Sequence, residues 1–348
     1  MNDLLELDTA GPVLIVGGYG TVGTALTRLA STEWPLLLTG RNPERGSHLT
    51  GHNVSVQKWD LNHSEPFAAK VRAVISTVND PHDRVLRAAV GSGIPYVDVT
   101  RWTSRVTRAI TLASLLKPTA PVLLSSGWMG GVTNIVAALL AQDLGGARHI
   151  DVAIRYDTSD QAGADSVDFI DRLGLNFEVR KGGQAAVVRP LTDTRWVDIA
   201  GHSTKVARLD TPEQFTLPLT LGAGTVATRI GFSSNSSTTA LLAARTAGLF
   251  RWGSGERWAP LRRSLLYSPG SGGVAHIRVD VTGPLGTGTA VISDPQGQAH
   301  LTAMGGLLGL HTVLDPAAEP GVSFPESSTA LSSAVAKLES HGVTILRS

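Results

Sequence analysis

The chain has 348 residues, of which 42% are hydrophobic and 17% charged, a composition typical of globular proteins with a substantial core. Its formal net charge of +1 argues against recruitment of nucleic acid or an anionic membrane surface. Cysteine is absent, which excludes disulfides, thiolate metal sites and cysteine nucleophiles. The length favours two domains.

The first six residues, Met1–Glu6, lack the basic and apolar regions of a secretory signal peptide. No apolar run approaches the ~20 residues that a membrane-spanning helix needs. We therefore expect a cytoplasmic protein that does not associate with membranes.

Residues 1–143 alternate between short apolar runs and helical segments. Because the runs do not alternate with polar residues, they are typical of strands buried on both faces of a parallel sheet. The predicted strands are Val13–Val16, Leu36–Thr39, Asn53–Val56, Ala73–Val78, Tyr96–Val99 and Pro121–Leu124. The predicted helices include Pro81–Val90, with Asp80 as its cap, and Ser104–Leu116. This order predicts an α/β fold, a Rossmann doubly wound parallel sheet.

The pattern changes near residue 148. His149–Tyr156 and His276–Val281 alternate with a period of two, which indicates one solvated face and a mostly antiparallel sheet. Residues 144–326 are therefore predicted to form a second, α+β domain, with a helix near Thr239–Phe250. The helix Ser328–Ser340 and the strand Val343–Leu346, within 327–348, are expected to return to the first domain.

The most specific motif follows the first strand, where Gly18-x-Gly20-x-x-Gly23 leads into a helix. This spacing is the dinucleotide-binding turn: the glycines allow a tight bend, backbone approach to a pyrophosphate and close packing of the helix. The predicted cofactor-binding residues of the turn are Gly18, Tyr19, Gly20, Thr21, Val22 and Gly23.

The end of the second strand indicates which dinucleotide is bound. NAD enzymes usually carry Asp or Glu there, whereas this chain has Thr39-Gly40-Arg41-Asn42 and no carboxylate before Glu44. Arg41 can form charge-assisted bonds to a 2′-phosphate and stack on adenine. We therefore predict NADP(H) as the cofactor, with Arg41 and Asn42 in contact with it.

Topology adds four cofactor-binding candidates. Asp60 and Leu61 follow the third strand, where such folds place the adenine. Thr77 and Val78 follow the fourth strand, which passes beneath the cofactor near the nicotinamide ribose. An ordinary transition from strand to loop is the alternative interpretation of both pairs.

A second glycine-rich turn, Ser125–Asn134, links the sixth strand to a helix. Gly127 and Trp128 are predicted to border the cofactor cleft, with Trp128 as a wall of the nicotinamide or substrate pocket. The alternative is a plain strand-to-helix connection with Thr133 as its cap.

Metal and nucleic-acid functions are not expected. His48 and His52 are four residues apart, but Gly51 and the lack of a nearby Glu argue against a zinc helix. The segment 251–263 combines four arginines with two tryptophans. We interpret it as a solvated loop or a lid against an anionic substrate rather than a nucleic-acid surface.

Several local patterns together resemble the saccharopine dehydrogenase-like reductases. They are the Gly-Gly-Tyr-Gly-Thr-Val-Gly turn, the series Val74–Val78, Val85–Ala89 and Gly93–Asp98, the turn Gly127–Asn134 with Gly130 where the family often has proline, and Gly321–Glu326. The resemblance covers residues 12–142 well and 270–326 in patches, and leaves 150–270 unmatched.

The resemblance implies an NADPH-dependent reductase that delivers hydride to an imine or iminium carbon of a small amine- or amino-acid-derived substrate, in secondary metabolism. It also implies a homodimer. Asp98, at the end of the fifth strand, is the first candidate for a polar group at the reacting centre. Tyr156, at the end of the first strand of the second domain, is a candidate proton donor. The alternatives are a trans-acting enoyl reductase of the same family and a non-enzymatic NADP-sensing protein.

Overall fold

The computed structural model describes residues 3–99, 102–160, 173–248, 270 and 272–348. Its strands in chain order are β1 (Leu4–Leu7), β2 (Val13–Val16), β3 (Leu36–Gly40), β4 (Val54–Lys58), β5 (Ala68–Val71), β6 (Ala73–Ser76), β7 (Tyr96–Asp98), β8 (Pro121–Leu123), β9 (His149–Tyr156), β10 (Phe177–Lys181), β11 (Gln184–Val188), β12 (Arg195–Ile199), β13 (His202–Arg208), β14 (Thr225–Phe232), β15 (Ala275–Gly283), β16 (Gly286–Asp294), β17 (Gly321–Ser323) and β18 (Thr344–Arg347).

The helices are α1 (Thr21–Ala30), α2 (Arg84–Gly91), α3 (Thr103–Leu116), α4 (Thr133–Asp143), α5 (Glu213–Thr220), α6 (Asn235–Thr246), α7 (Gly297–Leu314) and α8 (Leu331–Ser340). Short 3-10 turns cover Pro43–Leu49 and Pro325–Ser327, and a wide π-type turn covers Trp128–Val132. None of the helices in the described ranges combines the length and hydropathy required to cross a bilayer.

The chain forms two compact units. The first unit comprises Met1–Val132 and Thr302–Ser328, and the second comprises Thr133–Leu301 and Thr329–Ser348. This division differs from the prediction, because α4 packs on β15 and β16 and belongs to the second unit. The segment that returns to the first unit is 302–328 rather than 327–348.

The first unit contains the predicted doubly wound sheet. Seven parallel strands follow the order β17-β8-β7-β6-β2-β3-β4. Val13 of β2 pairs with Leu36 of β3 on one side and with Ala73 of β6 on the other. The strand order therefore reverses between β2 and β6, and ligands of such sheets bind outside the carboxyl ends of the strands at this point. All residues of β2 and β6 are buried, as their unbroken apolar sequences predict.

Three strands of the first unit were not predicted. β17 pairs with β8 at the edge of the large sheet. β1 and β5 form a separate parallel pair, with Leu4 opposite Ala68. Predicted helix boundaries also shift: α2 begins at Arg84 because Asp83 adopts a left-handed conformation with φ +54°. The Asp80 carboxylate still accepts a hydrogen bond from the Val85 amide at 2.8 Å, as its predicted capping role requires.

The second unit contains a mixed sheet in the order β12-β13-β14-β9-β15-β16-β18, in which only β14 and β9 run parallel. β15 alternates as predicted, with its apolar side chains buried and its polar ones partly exposed. β18 pairs with β16 in this sheet, so the predicted C-terminal strand does not join the first unit. A separate hairpin joins β10 and β11.

Two predicted segments lie partly or wholly outside the described residues. The predicted helix Thr239–Phe250 corresponds to α6, which begins four residues earlier with Ser234 as its side-chain cap, while Phe250 is not described. The arginine- and tryptophan-rich segment 251–263 also lies outside the described ranges.

Candidate functional site

The dinucleotide-type turn of the first unit is shaped by sterics. Gly17 has φ +84°, and a Cβ atom there would lie 2.2 Å from Cγ1 of Val78. A Cβ atom at Gly23 would lie 2.0 Å from the carbonyl oxygen of Gly17. Helix α1 can therefore pack this closely on the turn only with glycine at position 23.

The N-terminus of α1 is open. Gly20 precedes the helix in an extended conformation and provides no side-chain cap, and its backbone is exposed. The amides of Thr21, Val22 and Gly23 occupy the first turn, where intrahelical acceptors are missing and the helix dipole is positive. This arrangement suits a phosphate group.

Tyr19, Arg41 and Asn42 meet at the end of β3. The Tyr19 ring lies against the backbone of Gly40 and Gly46, where a Cβ atom on either glycine would overlap it. Burial raises the pKa of Tyr19, and the positive charges of Arg41 and Arg45 only partly oppose that shift. Its hydroxyl oxygen is buried without a hydrogen-bond partner among the described residues. Arg41 and Asn42 are exposed.

The loop that begins with Asp60 and Leu61 is fixed by an arginine that the sequence reasoning missed. Arg84 donates to both carboxylate oxygens of Asp3 at 2.7 Å and to the carbonyl of Asp60 at 3.1 Å. Asp60 also accepts from the Asn62 amide at 3.0 Å. Asp60 and Leu61 are partly exposed, on the loop that follows β4.

The structure brings Thr77 and Val78 against the glycine turn. The Thr77 hydroxyl and amide both donate to the carbonyl of Val16, at 2.9 and 3.0 Å. Val78 is the side chain that approaches Gly17 most closely. Both residues therefore lie at the carboxyl end of β6, beside the point where the strand order reverses, and their contact with a cofactor stays a prediction.

The turn at Gly127 and Trp128 follows β8, which lies next to β7 in the sheet. A Cβ atom at Gly127 would lie 2.6 Å from the carbonyl oxygen of Val99, so the two segments touch through backbone. Gly130 has φ +74°, a value that proline cannot adopt. Trp128 is half-buried.

Asp98 lies beside this turn in the interior. Its carboxylate accepts a hydrogen bond from the Tyr96 hydroxyl at 2.8 Å, and its carbonyl accepts from the Ser126 amide at 2.7 Å. The side chain is 2% exposed. These contacts orient the turn, and a role at the reacting centre stays a prediction.

Helix α7, which the sequence reasoning did not identify, supports the same turn. The Ser126 hydroxyl donates to the carbonyl of Gly305 at 2.8 Å. A Cβ atom at Gly305 would lie 2.5 Å from the carbonyl oxygens of Ser126 and Gly127. The three glycines in the sequence Met304-Gly-Gly-Leu-Leu-Gly309 were the available signal.

In the second unit, Tyr156 ends β9 within a polar cluster. Its hydroxyl accepts from the Gln298 side-chain amide at 3.1 Å, and its ring meets Phe232 edge-on at 5.8 Å. The backbone amide of Gln298 donates to the buried carboxylate of Asp160 at 2.8 Å.

A buried carboxylate–histidine pair lies at the start of helix α7. Asp294 is fully buried and accepts from Nδ1 of His300 at 2.7 Å and from the amide of Gln296 at 2.9 Å. Nε2 of His300 lies 3.3 Å from the Gln296 side chain. The spacing of six residues matches no common motif, so the sequence alone did not reveal the pair.

The predicted cap Thr133 instead donates to the buried carboxylate of Glu213 at 2.8 Å. Its neighbour Asn134 donates to the hydroxyl of Thr216 at 2.8 Å. Both contacts lie inside the second unit and fix α4 to α5.

A nicotinamide dinucleotide fits the first unit on two observations. The N-terminus of α1 has no side-chain cap and begins beside the exposed Gly20, and among the described residues the buried Tyr19 hydroxyl has no hydrogen-bond partner. The described ranges contain no group of three or more His, Asp or Glu side chains placed to hold a metal ion.

No family model matches the chain, and no curated protein matches its sequence. Solved structures with a similar chain path include an amine dehydrogenase from Mycobacterium smegmatis, with 13% identity, a TM-score of 0.49 and coverage of 91% of this chain and 95% of that one. A putative myo-inositol dehydrogenase from Sinorhizobium meliloti has 11% identity, a TM-score of 0.48 and coverage of 96% and 99%. A probable dehydrogenase from Thermotoga maritima has 11% identity, a TM-score of 0.46 and coverage of 96% and 98%.

Proposed function

We propose that the protein is an NADP(H)-dependent oxidoreductase that works as a reductase. The observation that carries this proposal is the open glycine turn, with exposed Arg41 and no carboxylate at the end of β3. The amides of Thr21, Val22 and Gly23 would hold the pyrophosphate. Arg41, with the Tyr19 hydroxyl beside it, would hold the 2′-phosphate.

We further propose that the substrate is a small amine- or amino-acid-derived imine or iminium compound. When bound, NADPH supplies a hydride for the carbon of such a C=N group. An iminium carbon is already activated, so the contribution of the protein is chiefly positioning and exclusion of water. The resemblance to saccharopine dehydrogenase-like reductases supports this choice. A cytoplasmic homodimer is part of the same proposal.

A neutral imine also needs a proton on nitrogen. The second unit offers two groups for this step, the Tyr156 hydroxyl, oriented by Gln298, and His300, oriented by Asp294.

Fluorescence titration with NADPH and NADH tests the cofactor. Replacement of Arg41 by Glu should weaken NADPH binding about 10- to 100-fold and leave NADH binding within a few-fold, because only NADPH carries the 2′-phosphate. Arg28→Gln, which removes an exposed cation in the last turn of α1, is the control and should change neither affinity. Equal affinities of the wild-type protein for both cofactors would contradict the proposal.

Turnover with imines, enones and ketones, followed by NADPH consumption, tests the substrate class. Imine turnover supports the proposal, whereas enone turnover alone indicates the enoyl reductase. NADPH binding without turnover of any class indicates an NADP-sensing protein.

A further inference from the structure

Three arginines of the second unit lie side by side on one face of its sheet. Arg208 of β13 is paired in register with Arg229 of β14. Arg195 of β12 lies opposite Val206, two residues before Arg208, and so shares its face. We refer to Arg195, Arg208 and Arg229 as the arginine patch.

Two aspartates, Asp151 and Asp193, form ion pairs with the patch, and the three arginines differ in how closely they contact them. Arg229 donates to Asp151 at 2.7 Å and also binds the Asp193 carboxylate. Arg195 binds the same oxygen of Asp151 at 2.5 Å. Arg208 has only an ion pair with Asp193, at 3.6 Å.

The side chain of Arg208 is thus a buried cation. It is 7% exposed, and in the described part of the chain its buried Nε has no hydrogen-bond partner. Burial is the main cause that lowers the pKa of Arg208, and the charge of Arg229 adds to it. Buried charges in proteins are ordinarily paired and hydrogen-bonded, because desolvation without such partners is costly.

The charge balance points to a missing anion. Among the described residues, the charged neighbours of Arg208 are two cations, Arg195 and Arg229, and two anions, Asp151 and Asp193. With Arg208 itself, the cluster carries one uncompensated positive charge. The carboxylate closest to Arg208, that of Asp193, is 53% exposed, so the patch opens to solvent at that residue.

We propose that the arginine patch binds a small oxyanion, a carboxylate or a phosphate group, with Arg208 as its principal donor. A guanidinium edge matches either group in a bidentate geometry. Asp193 occupies part of this site as a resident carboxylate, and it does so from a left-handed backbone position with φ +51°. The site is independent of the proposed reductase activity and lies wholly within the second unit.

Isothermal titration with inorganic phosphate and, separately, with acetate at constant ionic strength tests the site. Wild-type protein should bind one more equivalent of the preferred anion than Arg208→Gln, and the binding at that site should be at least about 10-fold weaker in the variant. The subtraction removes phosphate bound at the glycine turn. A stronger response to phosphate or to acetate identifies which chemistry the site prefers.

A second variant, Asp193→Asn, should strengthen anion binding rather than weaken it. Asp193→Asn keeps a residue that tolerates φ +51° and removes the competing charge, so anion affinity should rise about 3- to 10-fold. Arg195→Gln, at the more exposed edge, should weaken binding less than Arg208→Gln. The proposal is overturned if wild type and Arg208→Gln bind equally, or if Asp193→Asn leaves anion binding unchanged in a folded protein.

Discussion

The glycine turn of the first unit and the arginine patch of the second are built on opposite principles. Gly17 and Gly23 shape their turn by lacking side chains, and its polar contacts are made by neutral backbone groups and the hydroxyls of Thr27 and Thr77. The patch is shaped by five ionised side chains on β9, on β12 to β14 and at Asp193. Packing of the turn should therefore be insensitive to salt and pH, whereas the patch should respond to both.

The aspartates of the second unit illustrate this dependence. Burial by itself would raise the pKa of Asp193, but the hydrogen bond and charge of Arg229 outweigh it, and the net shift is downward. Asp193 therefore contributes stability that is present above its unfolded-state pKa and is lost as the pH falls through its lowered folded-state pKa.

The largest expected effect tests whether sterics alone fix the turn. Gly23→Ala places a Cβ atom 2.0 Å from the Gly17 carbonyl oxygen, which the backbone can relieve only by separating α1 from the turn. We expect a loss of about 3 kcal/mol in the free energy of unfolding and about 100-fold in NADPH affinity. Urea denaturation and fluorescence titration measure the two quantities.

Two other glycines serve as controls for that variant. Gly91→Ala meets open space and should change neither quantity. Gly20→Ala approaches the Gly17 oxygen only to 3.3 Å, so it should weaken NADPH binding at the exposed backbone while stability is retained. Equal destabilisation by Gly20→Ala and Gly23→Ala would show that close packing of α1 is not the cause.

Removal of a buried charge in the second unit, that of Asp294, should have the next largest effect on the free energy of unfolding. Asp294→Asn weakens the contact to His300 and removes the compensating charge in a fully buried position. We expect a loss of about 2–3 kcal/mol in stability with NADPH affinity unchanged. If His300 supplies the proton, turnover of neutral imines should fall and its pH profile should shift.

Asp315→Asn is the matched control, because Asp315 makes a similar contact to the amide of Ala317 at 2.8 Å but is exposed. Its replacement should cost less than about 0.5 kcal/mol. A comparable loss in both variants would mean that burial of the Asp294 charge contributes nothing.

The same contrast explains what the sequence could predict. The glycine turn and β2 are local patterns, so their spacing was sufficient to predict a buried strand that leads through a tight turn into α1. The alternation of β9 and β15 likewise indicated an antiparallel sheet. Arg229 and its partner Asp151, by contrast, are 78 positions apart, and no local pattern joins them.

The C-terminal strand shows the same limit. Its residues Val343–Leu346 form a short apolar run, which is compatible with either sheet by composition alone. Its pairing with β16 depends on long-range register, with Ile345 opposite Ile292. Helix α7 was missed because its glycines lower helix propensity, although they are what allow its close approach to Ser126 and Gly127.

A smaller effect tests the polar contacts of the turn. Thr77→Val preserves the shape of the side chain and removes the hydrogen bond from its hydroxyl to the Val16 carbonyl, so we expect a loss of about 1 kcal/mol in stability. Thr39→Val is the control, because the buried Thr39 hydroxyl has no hydrogen-bond partner among the described residues. Its replacement should be neutral or stabilising, and the reverse ranking of the two variants would contradict this explanation.

The smallest effect concerns a histidine on the polar face of the second sheet. Burial lowers the pKa of His276, and the charges of Arg155 and His202 add to this shift, against the weaker opposing effect of Asp157. Nδ1 of His276 also contacts the Ser293 hydroxyl at 2.9 Å. The neutral ring is therefore favoured in the folded protein.

The sign of the pH dependence follows from that preference. Below the ordinary histidine pKa of about 6.5 the unfolded chain takes up a proton more readily than the folded one, so stability decreases as the pH falls from there.

His276→Gln should make the loss of unfolding free energy between pH 7.5 and 5.5 smaller than in wild type, as measured by urea denaturation at both pH values. His52→Gln, an exposed histidine of the first unit, should leave that loss as it is. If the two variants behave alike, His276 is not a source of pH sensitivity in the second unit, and the contrast with the glycine turn rests on the aspartates alone.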